Sequence, residues 1–381
     1  MKKWHVVLAL ASFLVLGTLG CGTAPTEVQI GAVLSMEGRA APYGQSIWQG
    51  MQVAMDEINA AGGIDVGGNG TMLPLSITMR DDQSDPQVAL RHARELIGLE
   101  VPVVIAADSS EIALAIAPLF QEAEVIFMSP SASTPKLSEE GDYIYRNYPS
   151  DALEAVNMAT HIYNGASIHE IAILGSQSEY GLGVKNAFIS RFRMLGGTVT
   201  AQETFPTEAE DVSAQIQGLS DSDFGGIYIA GYSSEVATVA RAARDAGIEV
   251  PLFGTGAILP EELFELGGDA VEGLVFPSPL FDPASEIEES RRFVAAYEAR
   301  FGTAYDVYAA HGWDAVKIIA QAIQENGLRA EEIRFYLNAM NPFEGAAGST
   351  SFDDKGDVRK FHRMFVIQGG QAVPVGVEGG A

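Results

Sequence analysis

Two rhythms of apolar and polar residues alternate along this chain. Short, nearly continuous apolar runs such as VVIAA and IYIAG read as strands buried on both faces. Between them lie longer stretches with apolar residues three and four apart. In QSIWQGMQVAMDEINAAGG, Ile47, Met51, Ala54 and Ile58 fall on one helical face, and Gly62-Gly63 ends the helix. From the opening strand EVQIGAVLS, strands and helices alternate through LPLSITMRDDQSDP, PQVALRHARELIGLE, VPVVIAADSS, EIALAIAPLFQEAE and VIFMSPSAS. That order predicts an α/β fold with a parallel sheet covered on both faces.

A second series of the same rhythm follows YIYRNYPSD. Its strands are EIAILGSQSEYG, TVTAQETF, GGIYIAGYSS and VPLFGTGA; its helices are ALEAVNMATHIYNG, GVKNAFISRFRMLGG, DVSAQIQGLSD and EVATVARAARDAG. GLVFPSPLFDP then intervenes without an assigned element. A helical block runs from Glu286 to Met340, and the tail predicts two strands around an Asp-Lys-Gly turn. Two separate doubly wound domains and two lobes that exchange segments through a hinge both accommodate this order.

The first twenty residues follow neither rhythm. Two lysines precede an apolar run from Val6 to Leu16, then small residues, which is the pattern of a secretory signal peptide over residues 1–20. The run is too short for a comfortable transmembrane span. Cys21, the only cysteine, comes next and is expected to become a lipid-modified N-terminus, although Thr18 stands where a branched aliphatic residue is usual. One cysteine allows no internal disulfide. The 381-residue chain carries a formal net charge of −27. Such an acidic chain repels phosphate backbones and anionic lipid, so no nucleic-acid partner is expected.

In open parallel sheets, ligands sit beyond the carboxyl ends of the strands. Here those ends carry Ser35 and Tyr43; Asp108, Ser109 and Ser110; Ser129, Ser131, Ala132, Ser133 and Thr134; Ser176, Ser178 and Tyr180; Tyr232, Ser233 and Ser234; and Thr255 and Gly256. Hydroxyls at helix starts suit a small carboxylate, and tyrosines can close over an apolar or zwitterionic body. Each serine alone reads equally as a helix cap. There is no nucleophile elbow, H-E-x-x-H, Walker loop or G-x-G-x-x-G after a strand, so no catalytic residue, cofactor or metal site is assigned. The acidic RDDQSDP lacks the spacing of a calcium loop and reads as a turn.

The segment IGAVLSMEGRAAPYGQSIWQGMQVAMDEINAAGGI resembles the opening of leucine/isoleucine/valine-binding proteins, the solute receptors of branched-chain amino-acid ABC importers. DDQSDPQVA, SSEIALAIAP, MSPSASTPKL, SEYGLG, YIAGYSSE, ARAARDAGI and FDDKGD continue the match in order. The resemblance implies a type I periplasmic-binding-protein fold, two Rossmann-like lobes joined by a three-strand hinge. Lobe 1 would be residues 28–151 plus 279–344, and lobe 2 residues 152–278 plus 345–381. It implies a monomeric, extracytoplasmic receptor, lipid-anchored to a membrane, that captures an amino acid or related carboxylate, passes it to an ABC permease and catalyses nothing. By position, Ser110, Ser131, Ala132 and Ser133, with the neighbouring Ser109, would bind the ligand carboxylate; Tyr43, Tyr180 and Tyr232 would wall the cleft. Gly256 stands where amino-acid-binding relatives usually carry a carboxylate for the α-ammonium. Either Asp108, Glu179 or Glu235 substitutes, or the protein is a ligand-sensing module of the same fold for an amide or aromatic acid.

Overall fold

The computed structural model describes residues 25–219, 222–279, 281–302 and 305–376; the signal segment and Cys21 lie outside them. The chain begins with β1 (Val28–Leu34), α1 (Ala41–Ala60), a small hairpin of β2 (Ile64–Asp65) and β3 (Met72–Leu73), β4 (Leu75–Asp81), α2 (Pro86–Gly98), β5 (Val103–Ala106), α3 (Ser110–Glu122), β6 (Ile126–Ser129) and β7 (Ile144–Arg146). The second series is α4 (Asp151–Thr160), β8 (Glu170–Ser176), α5 (Glu179–Met194), β9 (Thr198–Phe205), α6 (Ser213–Gln217), β10 (Ile227–Ala230), α7 (Ser233–Asp245), β11 (Leu252–Phe253), α8 (Pro260–Gly267) and β12 (Val275–Pro279). Then come α9 (Glu288–Phe301), α10 (Val307–Asn326), α11 (Ala330–Ala339), a hairpin of β13 (Phe343–Gly345) and β14 (Gly348–Thr350), β15 (His362–Gln368) and β16 (Gln371–Pro374).

These elements build two sheets. The first has the order β4-β1-β5-β6-β7, the second β16-β15-β12-β11-β10-β8-β9. The parallel part of the second, β9-β8-β10-β11-β12, repeats the order of the first. In each, the strand order reverses beside the opening strand: between β1 and β5, and between β8 and β10. That reversal opens a crevice at the carboxyl ends. The apolar strand runs account for both sheets, because the four residues of β5, of β6 and of β10 are all buried.

The late helices return to the first body. Helix α10 lies along α1, and small residues let the backbones approach. A Cβ on Gly50 would meet the Ala309 carbonyl at 1.9 Å, and one on Gly312 the Ile47 carbonyl at 2.4 Å. Ile47, Met51, Ala54 and Ile58 are buried, as their spacing predicts.

Three features differ from the sequence expectation. GLVFPSPLFDP contains the strand β12 despite Pro277 and Pro279. Its partner β11 is so short that their ladder is the single pair Phe253↔Val275, so the missing proline N–H groups forfeit little on that side. The tail hairpin turns at Gly369-Gly370, both at positive φ (58° and 77°), between Gln368 and Gln371. A two-residue loop of that geometry matches strand twist, whereas the Asp-Lys-Gly turn closes only the bridge Phe352↔Val358. The third crossing also lies later than residue 344. The turn docks on the first body: Arg146 N–H donates to the Gly356 carbonyl at 3.0 Å, and buried Arg146 pairs with Asp357 at 2.7 Å. The chain joins the second sheet at His362.

The α1–α10 contact yields a direct test. Gly312→Ala forces a methyl against the Ile47 carbonyl and should cost about 1–3 kcal/mol of stability through overpacking, read as a lowered midpoint of urea unfolding. An unchanged midpoint would contradict this packing.

Candidate functional site

The carboxyl ends of the two sheets face each other across a buried cleft. Its wall combines Tyr43, Asp108, Ser109, Ser110, Ser131, Ala132, Ser133, Tyr148 and Tyr308 with Glu154, Tyr180, Tyr232 and Ala257. Closed on themselves, these groups leave ≈ 10 Å³, barely room for one water. A solute must therefore enter by parting the two sides.

The serine side follows from strand geometry. Strand β5 is followed by Ala107, whose φ of 68° is unfavourable for a residue with a Cβ and turns the chain sharply into Asp108. Ser109 then caps α3, its hydroxyl accepting from Ile112 N–H at 3.4 Å. The next hydroxyl, Ser110 Oγ, is buried with no hydrogen-bond partner among the described residues. A buried orphan at a helix N-terminus is an unmet demand for an acceptor. Ser131 Oγ donates to the Asp108 carbonyl at 3.3 Å, and Ala132 N–H to Ser129 Oγ at 2.9 Å, which fixes the β6 loop beside it.

Tyrosines fill the rest. Tyr43 projects from the first turn of α1, which sits tightly on β1 because Gly44 leaves no Cβ against the Ser35 carbonyl. Its hydroxyl crosses the cleft and donates to the Ala257 carbonyl at 2.7 Å. Its ring meets Tyr232 edge-on at 5.5 Å and Tyr308 at 5.1 Å. Tyr232 in turn meets Tyr180 at 5.0 Å, and Tyr148 stacks on Tyr308 at 5.7 Å. At the rim, Arg39 lies 5.1 Å over the Tyr232 ring and 3.2 Å from Glu111. Glu111 accepts from Glu179 N–H at 2.7 Å, at the N-terminus of α5, while Lys136 pairs with the Glu179 carboxylate. These contacts tie α3 and the loop after β6 to α5.

The acids divide by environment. Glu179 is held at the rim by Lys136. Glu235 turns away, accepting from Ser176 Oγ at 2.7 Å and Tyr232 N–H at 3.0 Å, and so braces the start of α7. Neither lines the cleft. Asp108 lines it, but its carboxylate accepts from Ser35 N–H at 2.7 Å and Ser35 Oγ at 3.1 Å. Burial, with Asp82 close by, pushes Asp108 up to about 8. Gly256 contributes backbone alone: its N–H donates to Glu154 at 2.8 Å, and its carbonyl accepts from Tyr308 at 3.2 Å and Tyr148 at 3.3 Å. Burial and then Asp151 push Glu154 up to about 8.

Tyr148, Glu154, Ala257 and Tyr308 were not among the sequence candidates. Tyr148 follows the end of β7, a position the strand-end rule reaches once that strand is recognised. Tyr308 and Glu154 sit in the first turns of α10 and α4, helices whose surroundings only the fold reveals.

A sequence pattern described as periplasmic binding protein matches residues 27–372. Leu/Ile/Val-binding protein homolog 1 of Brucella abortus is 27% identical over 355 residues, covering 92% of this chain and 91% of its own. The leucine-, isoleucine-, valine-, threonine-, and alanine-binding protein of Pseudomonas aeruginosa is 25% identical over 365 residues, 95% of each. Among solved structures, a leucine-binding protein of Thermotoga maritima superposes with a TM-score of 0.84 at 27% identity, covering 92% of this chain and 98% of that one. The branched-chain amino acid transporter substrate-binding protein of Streptococcus pneumoniae, solved with isoleucine, gives 0.82 at 26% identity over 91% and 99%. The shared architecture, two sheets of one strand order facing across a cleft, extends over the whole matched length, and the chain belongs to the periplasmic binding protein family.

Proposed function

We propose that this protein is the extracytoplasmic solute receptor of an ABC importer, and that it captures an amino acid or closely related small carboxylate between its lobes without transforming it. The observation that carries this reading is the orphaned Ser110 hydroxyl at the start of α3, set in a cleft otherwise walled by tyrosines. An anionic group is met by Ser110 and the loop of Ser131, Ala132 and Ser133. Tyr43, Tyr180 and Tyr232 then enclose the body of the solute. Lobe 1 comprises residues 28–151 and the chain from about 279 to the docked turn at 357; lobe 2 comprises residues 152–278 and the strands from His362. Closure presents both lobe surfaces to a permease. The ligand can shift the lobes only by its differential contacts with the closed form.

A thermal-shift screen of the twenty amino acids against short amides and aromatic acids tests the ligand class. A ligand at a hundredfold its Kd adds about 2.7 kcal/mol of stability. Amino acids should raise the midpoint; stabilisation by amides or aromatic acids alone would replace this reading with a sensor for such ligands. Tyr232→Ala should weaken the best binder at least tenfold, about 1.4 kcal/mol, while leaving the far-UV spectrum unchanged. Equal affinity would remove that tyrosine from the site.

We further propose that the receptor works as a monomer tethered through acyl chains on Cys21, with no nucleic-acid partner. Among the described residues no helix is long and apolar enough to cross a membrane. In cells, Cys21→Ala should move the protein from the membrane to the soluble extracytoplasmic fraction; an unchanged distribution would discard the anchor.

Closure should also respond to pH. Tyr148, Tyr180, Tyr228 and Asp151 face Glu154, and no ion pair to it occurs among the described residues. Burial raises both Glu154 and Asp108 above their ordinary range. The closed form therefore holds protons that the hydrated open form releases. That contribution is full below the ordinary carboxylate range and is lost as pH rises through about 8. For the ligand-free protein, the small-angle scattering radius should grow from pH 5 to pH 9. A constant or shrinking radius would refute the sign.

A further inference from the structure

We propose that Glu154 is the specificity-determining residue of the cleft, the acceptor for a cationic nitrogen on the solute, so that the ligand is an ammonium-bearing carboxylate rather than a neutral or purely anionic one. This deepens the solute-receptor reading above and rests on it.

A Cβ on Gly256 would sit 2.7 Å from Glu154 Oε2. A side chain at 256 would oblige the Glu154 carboxylate to shift, so the glycine leaves open the space in which that carboxylate now lies. An ionised carboxylate offers about four acceptor sites. Glu154 receives one good bond, from Gly256 N–H at 2.8 Å, and two long ones from the Tyr180 hydroxyl at 3.4 and 3.5 Å. It is 2% exposed, so water does not supply the rest. No lysine, arginine or histidine pairs with it among the described residues.

Asp108 differs. The Ser35 backbone and hydroxyl already occupy its carboxylate, and adding a Cβ to Gly44 would bring it within 2.4 Å of Asp108 Oδ2. Its face toward α1 is thus closed. The cleft consequently carries two unlike polar groups on its wall: Ser110 Oγ, a buried donor without an acceptor, and Glu154, a buried acceptor with capacity left over. A solute bearing both a carboxylate and an ammonium answers both demands at once. In its absence burial and Asp151 disfavour the ionised form of the glutamate; an arriving ammonium opposes that shift by Coulomb attraction in a poorly screened site.

Calorimetry on the full mature protein decides the point, with L-leucine, L-isoleucine and L-valine as probes beside 4-methylpentanoate, 3-methylpentanoate and 3-methylbutanoate, which lack the amino group. Wild type should bind at least one amino acid and discriminate against its des-amino partner by about thirtyfold or more, as expected for a buried charge pair. Glu154→Gln should lose about the same factor for the amino acid while holding the des-amino acid no more weakly than wild type. Glu154→Asp should recover part of the loss, which separates a charge role from simple packing, and the unliganded melting curves show that the variants fold. Wild-type binding of the amino acid with Glu154→Gln matching it within threefold overturns the assignment alone. Equal wild-type affinity for an amino acid and its des-amino partner overturns it too. If wild type binds the carboxylates but no amino acid, both this assignment and the amino-acid reading fail together.

Discussion

A parallel strand delivers the chain to the same edge of its sheet every time, and this constraint organises the whole molecule. Strands β1, β5, β6 and β7 in one lobe, and β8, β10 and β11 in the other, all deposit their following loops on the cleft side. The loops are polar because they start helices, and helix starts need caps. Bringing the two edges together therefore buries serines, tyrosines and carboxylates against one another. Each must find a partner or bear the desolvation penalty of an unmatched polar group. Most find one: Tyr43 with Ala257, Glu111 with the N-terminus of α5, Glu154 with Gly256. On the proposed function, the unpartnered Ser110 hydroxyl in the cleft is where a solute would contribute.

This explains why the cleft can be both tight and selective. Five tyrosine rings in sequence, Tyr148, Tyr308, Tyr43, Tyr232 and Tyr180, exclude water and touch edge-on, tilted or stacked. The hydroxyls of Tyr148, Tyr308 and Tyr43 point at carbonyls and that of Tyr180 at a carboxylate. In such surroundings an added hydrogen bond counts for more than at a surface, and an unmatched group costs correspondingly more. Rim contacts, by contrast, involve partly exposed charges: Lys136 and Glu179 remain within reach of water. They hold the closed geometry in place but contribute modestly. On the proposed function, discrimination falls to the groups inside the aromatic wall and not to those at its mouth.

Much of this was legible in the chain. Long amphipathic stretches identified α1, α3, α7 and the block holding α9 to α11, because a helix buries a periodic face whatever it packs on. Reading the ends of the apolar runs found Tyr43, Ser109, Ser110, Ser131, Ala132, Ser133, Tyr180 and Tyr232, since parallel topology makes those positions converge. The rule failed where topology was hidden. Pro277 and Pro279 concealed β12, because proline argues against a strand unless the neighbouring ladder is short. Tyr308 and Glu154 stand in the first turns of helices, where an aromatic or acidic residue has ordinary structural reasons to be. Glu179 and Glu235 were candidates because they follow strand ends, yet their carboxylates turn to Lys136 and to Ser176, whereas Glu154, which was no candidate, lines the cleft.

The exchange between positions 154 and 256 shows why a site of this kind cannot be read one position at a time. The two are 102 residues apart, on different elements, yet the Glu154 carboxylate lies in space that the glycine leaves open. A glycine seen alone suggests a missing charge. Seen with its neighbour, it marks where the charge enters from: α4 supplies a carboxylate through the gap, and the glycine N–H fixes its orientation. The supporting helix is itself pinned, since Asp151 N–H donates to the Ser133 carbonyl at 2.9 Å, tying the start of α4 to the loop that carries the serines. The loop that carries the serines and the start of the helix that carries Glu154 are thereby joined by a backbone hydrogen bond.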